Sequence, residues 1–158
     1  MALGSNLPAG FASSEALLEA ALQQFPQAGL PVLARSGWWR SAAWPDPKGN
    51  EYRNGVAIVE ANGPPKAILE ALFAIERAFG RIRGVANAPR TLDLDLIAYG
   101  RAVIDGPGLV LPHPRAHERL FVMGPLAEIA PQWRHPVNGR TAAELAASAA
   151  VGRDATPL

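Results

Sequence analysis

The 158-residue chain has the length of about one domain. Its 49% hydrophobic and 18% charged residues can bury a core, which excludes a disordered chain. Lys+Arg 15 against Asp+Glu 14 and Cys 0 exclude a chain-wide basic footprint for duplex DNA, an acidic tail, a disulfide framework and thiolate chemistry.

Ala2-Leu3-Gly4-Ser5-Asn6 reads as the end of a strand entering a turn, and this first strand is expected to be truncated. Ser13-Ser14-Glu15 opens a helix with a cap residue and an early acid. Leu17, Leu18, Ala21, Leu22 and Phe25 follow at helical spacing. Residues 32–41 read as one strand and residues 44–51 as a polar loop. Residues 52–60 form a strand on which Tyr52, Asn54, Val56 and Ile58 share a face. Pro64-Pro65 begins a second helix, with Ile68, Leu69, Leu72, Ile75, Ala78 and Phe79 inward and Gly80 ending it. Residues 81–89 are a loop and residues 91–99 a strand. Residues 110–114 read as a short turn. Residues 118–129 read as a helix interrupted by Pro125. Thr141-Ala-Ala-Glu144 is a capping box for a last helix. Residues 1–151 are expected to form one domain, with 152–158 a frayed tail. The order strand, helix, strand, strand, helix, strand predicts an α+β fold, a ferredoxin-like sandwich with a C-terminal helical part.

No apolar run approaches the ~20 residues that span a bilayer, and the N-terminus lacks the charged and apolar regions of a signal peptide. A soluble cytoplasmic protein is the expectation. Only Lys48 and Lys66 are lysines, so thirteen of the 15 basic residues are arginines. Genomic composition explains that bias; arginine forks also suit phosphate.

Arg90-Thr-Leu-Asp93-Leu-Asp95-Leu96 is the most informative segment. Side chains two apart on a strand share a face, ~7 Å apart. Asp93 and Asp95 therefore point together, opposite Leu92, Leu94 and Leu96. Two carboxylates on such a face need a partner. A hard divalent cation bridging phosphates is one, and an Asp–Arg pair with Arg90 is the other. Arg81, Arg83 and Arg90 flank the neighbouring loop, either as a polyphosphate clamp or as solvated surface. The absence of a Gly-x-x-x-x-Gly-Lys-Ser/Thr motif excludes a P-loop. His113 sits between Pro112 and Pro114 on a rigid turn, and His113, Arg115 and Arg119 can each donate to an anion. Tyr52 and Asn54, near Trp38, Trp39 and Trp44, can read a flat heterocycle or serve as ordinary core.

Together these segments resemble the 6-hydroxymethyl-7,8-dihydropterin pyrophosphokinase family of folate biosynthesis. The matching pieces are residues 2–7, Tyr52-x-Asn54, Ile75-Glu76 with Gly80-Arg-x-Arg83, residues 89–95, Leu111-Pro-His-Pro-Arg115, Glu118-Arg119-x-Phe121 and residues 125–131. The resemblance implies one pyrophosphokinase domain that transfers the β,γ-diphosphate of ATP to the pterin hydroxymethyl group and releases AMP. It implies two Mg²⁺ ions on Asp93 and Asp95, with Arg81, Arg83 and Arg90 completing the catalytic set. It assigns ATP to Phe73, Glu76, Arg81, Arg83, Arg90, Leu96, His113 and Arg119. It assigns the pterin to Ser41, Ala42, Trp44, Tyr52, Asn54 and Phe121, with Tyr52 and Phe121 as the sandwiching rings. Loops at 42–51 and 82–89 are expected to close over ATP. Ala42-Ala43, Phe73 and the 84–88 loop depart from the family pattern. No nucleic acid or membrane partner is expected, and the protein is expected to be a monomer. Two alternatives are a ligand-binding module that has lost catalysis and another Asp-x-Asp metal-dependent nucleotidyltransferase.

Overall fold

The structure, a computed structural model, describes residues 1–43, 46–81 and 90–158. It combines helices with an antiparallel sheet, an α+β architecture. The first half runs β1 (Ala2–Ser5), α1 (Ser14–Gln24), β2 (Val32–Arg35), β3 (Trp39–Ser41), β4 (Tyr52–Val59), α2 (Pro65–Ala78) and β5 (Asp93–Asp95). The second half runs β6 (Ile104–Gly106), β7 (Leu109–Leu111), α3 (Leu120–Ile129), α4 (Ala142–Ser148) and β8 (Thr156–Pro157). The main sheet has the order β5-β1-β4-β3-β8, with β2 also paired to β4. Every pairing in it is antiparallel.

Each sheet face buries its own core. On one face Leu3 and Leu94 pack with Leu17, Leu18, Ala21 and Leu22 of α1 and Ile68, Leu72 and Ile75 of α2. On the other, Ala2, Val56 and Ile97 pack with Val122, Met123 and Leu126 of α3 and Ala142 and Leu145 of α4. The period of two in β4 and β5 sorts residues between these faces. The α1 cap is Ser13, whose hydroxyl accepts from Ala16 N–H at 3.1 Å. The capping box of α4 forms in both directions between Thr141 and Glu144.

Several elements differ from the sequence expectation. The strand expected over 32–41 is two strands, because the ladder turns irregular at Ser36, whose N–H still donates to the Val56 carbonyl at 2.9 Å. The Ser36 Oγ accepts from Val56 N–H at 3.0 Å. Trp38 then lies over Gly55, where a Cβ would stand 2.5 Å from the indole. The strand expected over 91–99 is the short β5, since its pairing with β1 ends at Ala2 opposite Asp95. The turn expected at 110–114 is strand in its first two residues: Val110 and Leu111 belong to β7, which pairs with β6 in a hairpin whose Pro107-Gly108 turn has Gly108 at φ 77. Pro125 is accommodated inside α3 and does not interrupt it. Glu76, not Ala78, is inward on α2: it lies one turn after Leu72 and is 1% exposed.

The tail expected to fray over 152–158 is tied down. Thr156 and Pro157 pair with Arg40 and Trp39, and Ala155 is buried. Three apolar or backbone anchors in seven residues outweigh the usual freedom of a terminus. Among the described residues, no helix is long and apolar enough to cross a membrane.

Candidate active site

The sheet register builds the site. Asp93 of β5, Gly4 of β1, Asn54 of β4 and Trp39 of β3 stand opposite one another in a single row. Asp95, Ala2 and Val56 form the adjacent row on the same face. Opposed residues of an antiparallel sheet point their side chains to one side. Gly4 supplies none, and the position its Cβ would take is 3.7 Å from Asn54 Oδ1 and 3.9 Å from Asp93 Cβ. The result is a cleft of about 290 Å³ between the acids and the amide.

The structure brings most of the predicted residues to that cleft. Ser41, Ala42, Tyr52, Asn54, Arg90, Asp93, Asp95, Arg119 and Phe121 all line it, together with Arg115 and Gly4. Asn54 is buried and donates from Nδ2 to Ser41 Oγ at 2.9 Å, which fixes the amide with its Oδ1 toward Gly4. Tyr52 lies on the same strand face as Asn54, and burial pushes its phenol above the usual range. Arg119 places its guanidinium 5.7 Å from the centre of the Phe121 ring. Asn54 and Tyr52 therefore sit on one side of β1 and the two acids on the other, with Arg119 beside the Phe121 ring.

Asp93 already has partners. Arg81 donates to its Oδ1, and Arg90 donates to its Oδ2 at 2.5 Å. The Asp–Arg pair weighed from the sequence is thus present, and it faces the cleft. Burial, followed by the nearby charge of Asp93, pushes the Asp95 carboxyl above its ordinary range; His113, Arg119 and Arg90 offset part of that. A cation between these acids relieves the same repulsion, and two carboxylates with substrate phosphates are a usual Mg²⁺ donor set. The donor chemistry therefore fits Mg²⁺ shared with a polyphosphate. It does not make a protein-only cage, since the described residues hold no cluster of three or more potential metal ligands.

Other predicted residues stand behind or beside the cleft, outside its lining among the described residues. Glu76 is buried; its Oε1 accepts from Leu94 N–H at 2.7 Å and from Arg81 at 2.8 Å. It therefore holds β5 and Arg81 in place. His113 donates its backbone N–H to Ile97 at 2.8 Å, and its Nδ1 accepts from Arg115 N–H at 3.1 Å. Burial lowers its pKa, partly countered by Asp95. Phe73 is half-buried on α2. Leu96 lines a separate cavity of about 540 Å³ with Ile68, Tyr99 and Trp133. Trp44, Arg83 and the loop expected over 82–89 lie outside the described residues.

Two contributors were not legible as site residues. Gly4 makes the floor by lacking a side chain, and only the strand register reveals it. Asn6 accepts from Arg90 N–H at 2.9 Å and donates its own N–H to the Arg90 carbonyl at 3.2 Å. It thereby sets the backbone of an arginine far away in sequence. Its place in Gly4-Ser5-Asn6 at a strand end was the available signal.

Comparison with known proteins gives the family. The family model described as 7,8-dihydro-6-hydroxymethylpterin-pyrophosphokinase (HPPK) matches residues 1–131. Three relatives, each named 2-amino-4-hydroxy-6-hydroxymethyldihydropteridine pyrophosphokinase, come from Synechocystis sp., Methylorubrum extorquens and Pseudomonas aeruginosa. The first is 45% identical over 118 residues, covering 75% of this chain and 60% of the relative. The second is 36% identical over 132 residues, covering 83% of this chain and 81% of the relative. The third is 40% identical over 152 residues, covering 94% of this chain and 89% of the relative. With its acid pair, arginines and aromatic–amide pocket on one sheet face, the chain belongs to the 7,8-dihydro-6-hydroxymethylpterin-pyrophosphokinase family.

Proposed function

We propose that this chain transfers the β,γ-diphosphate of ATP to the hydroxymethyl group of 6-hydroxymethyl-7,8-dihydropterin in folate biosynthesis. The hydroxymethyl oxygen forms a bond to the β-phosphorus, the bond to the α-phosphate bridging oxygen breaks, and AMP leaves. The hydroxyl proton is released. We read the sheet order β5-β1-β4 followed by the β2–β3 edge as the ferredoxin-like arrangement that carries this chemistry. The protein acts as a cytoplasmic monomer in this reading.

The observation that carries the proposal is the row Asp93–Gly4–Asn54. It supports the reading by bringing the acids and the amide into one cleft, the acids for phosphate and metal and the amide for the heterocycle. Tyr52 and Phe121 supply rings for a flat bicycle, and Asn54 supplies an acceptor for its edge. Arg90, Arg115 and Arg119 line the same space and balance polyphosphate charge. Asp93 and Asp95 would hold two Mg²⁺ ions. When bound, the metal neutralises phosphate oxygens and acidifies the acceptor hydroxyl. Phosphoryl transfer of this kind needs alignment and charge neutralisation more than covalent catalysis.

Incubation with ATP, Mg²⁺ and the pterin, followed by nucleotide chromatography, tests the proposal. AMP equal to the pterin consumed is the expected result. Release of diphosphate would indicate a nucleotidyltransferase. ATP binding that ignores Mg²⁺, with no turnover, would indicate a binding module.

A further inference from the structure

The segment 151–157 touches both walls of the cleft's heterocycle end. The first wall is the entry of α3. Val151 N–H donates to the Glu118 carbonyl at 2.9 Å, and Leu120 N–H donates to the Val151 carbonyl at 2.9 Å. These bonds clip the backbone on either side of Arg119. The next residue, Gly152, has φ 67, and a Cβ there would stand 2.4 Å from Phe121 Cδ1. The Phe121 ring therefore rests on bare glycine backbone.

The second wall is the end of β3. Asp154 Oδ2 accepts from Ala42 N–H at 2.5 Å. Two residues on, Thr156 pairs with Arg40 and Pro157 with Trp39. Arg40 Nε donates to Thr156 Oγ1 at 3.3 Å, and Leu158 N–H donates to the Trp38 carbonyl at 3.0 Å. Ser41, between the two anchored residues Arg40 and Ala42, is the hydroxyl that orients Asn54. One short span of chain thus fixes the spacing between the Phe121 ring and the Ser41–Ala42 backbone. The span lies beyond residue 131, where the family match ends.

We propose that residues 151–157 are a strap that sets the width of the heterocycle end of the cleft, with Asp154 and Gly152 as positioning residues for the pterin. The proposal rests on the pterin reading above. The strap reaches Phe121 and Ala42. The ATP end is built instead from β5 and from Arg90, which Asn6 holds at the end of β1. The strap also clips Arg119, which is given to ATP above, but Asp154 itself bonds Ala42, so the loss of that one bond falls on the pterin. A strap that merely stabilised the fold would shift both substrates alike.

Asp154 is exposed, so Asp154→Ala and Asp154→Asn both fold. The asparagine oxygen accepts the same bond; alanine cannot. Two readouts on the whole protein test the strap. The first is amide hydrogen exchange at Ala42 without ligand. Asp154→Ala should speed it about fivefold and Asp154→Asn less than twofold, since one exposed bond is worth ~1 kcal/mol. The second is binding of 6-hydroxymethylpterin and of Mg-ATP, each titrated separately. Asp154→Ala should weaken the pterin about fivefold and ATP less than twofold, with Asp154→Asn restoring the pterin. Equal losses for both ligands, or no loss, overturn the proposal. If Ala42 exchanges alike in wild type and Asp154→Ala, the strap is wrong whatever the ligand. If exchange depends on Asp154 but the wild type binds no pterin, the pterin reading fails and the strap stands.

Discussion

Asp93 and Asn54 face one another across the sheet with only Gly4 between them. The space that glycine leaves joins a charged end of the cleft to an amide-and-aromatic end. A Cβ at Gly4 meets ordinary contact distances, so Gly4→Ala folds. Gly4→Leu fills the floor with a branched side chain. We expect it to weaken the pterin at least about tenfold while the melting temperature stays within a few degrees. Parallel calorimetry and ligand titration check this, and undiminished binding by Gly4→Leu would remove Gly4 as the floor.

Glu76 is the buried acid that organises the charged end from behind. It accepts from Leu94 N–H and from Arg81, and Arg81 in turn donates to Asp93. Replacing it by leucine deprives a buried N–H and a largely buried guanidinium of this acceptor. The expected cost is about 3 kcal/mol, read from urea unfolding. Glu76→Gln keeps an acceptor for Leu94 and should cost less. A loss below about 1 kcal/mol for leucine would show that Arg81 finds equivalent partners.

His135 gives the fold a pH dependence away from the site. It is 6% exposed, and its Nδ1 accepts from Val137 N–H and Asn138 N–H, each at 3.2 Å. Those bonds require an unprotonated nitrogen. Burial, with His117 and Arg101 nearby, lowers its pKa below the ordinary value of about 6.5. The folded protein then binds fewer protons than the unfolded chain in the window just below that value. The neutral ring's contribution is complete above about pH 6.5 and is lost as pH falls through the lowered folded value. Urea midpoints between pH 5 and 7 should therefore rise with pH, and His135→Gln should flatten the slope. Identical slopes for the two proteins would assign the effect elsewhere, His113 being another lowered histidine.

Much of this was legible because local patterns and tertiary packing agree. The period of two in β4 and β5 put Asn54 with Tyr52 and Asp93 with Asp95. The cap at Ser13 and the box at Thr141 marked helix starts correctly. What stayed hidden depends on contacts distant in sequence. Glu76 reads as an ATP-binding residue through the family resemblance until Leu94 and Arg81 are seen to use it. The break between β2 and β3 exists because Ser36 bonds Val56 and Trp38 occupies Gly55. The tail reads as loose because Gly152 and Asp154 carry no periodic signal, yet Phe121 and Ala42 hold them in place.

The central claim is that Asp95 and Asp93 jointly present a polyphosphate to an alcohol bound at the other end of the same cleft. The most direct measurement is AMP formation by Asp95→Ala, with pterin affinity measured on the same sample. We expect turnover to fall at least about a hundredfold while the pterin binds within a few-fold of wild type. Near-full turnover by Asp95→Ala would contradict the account.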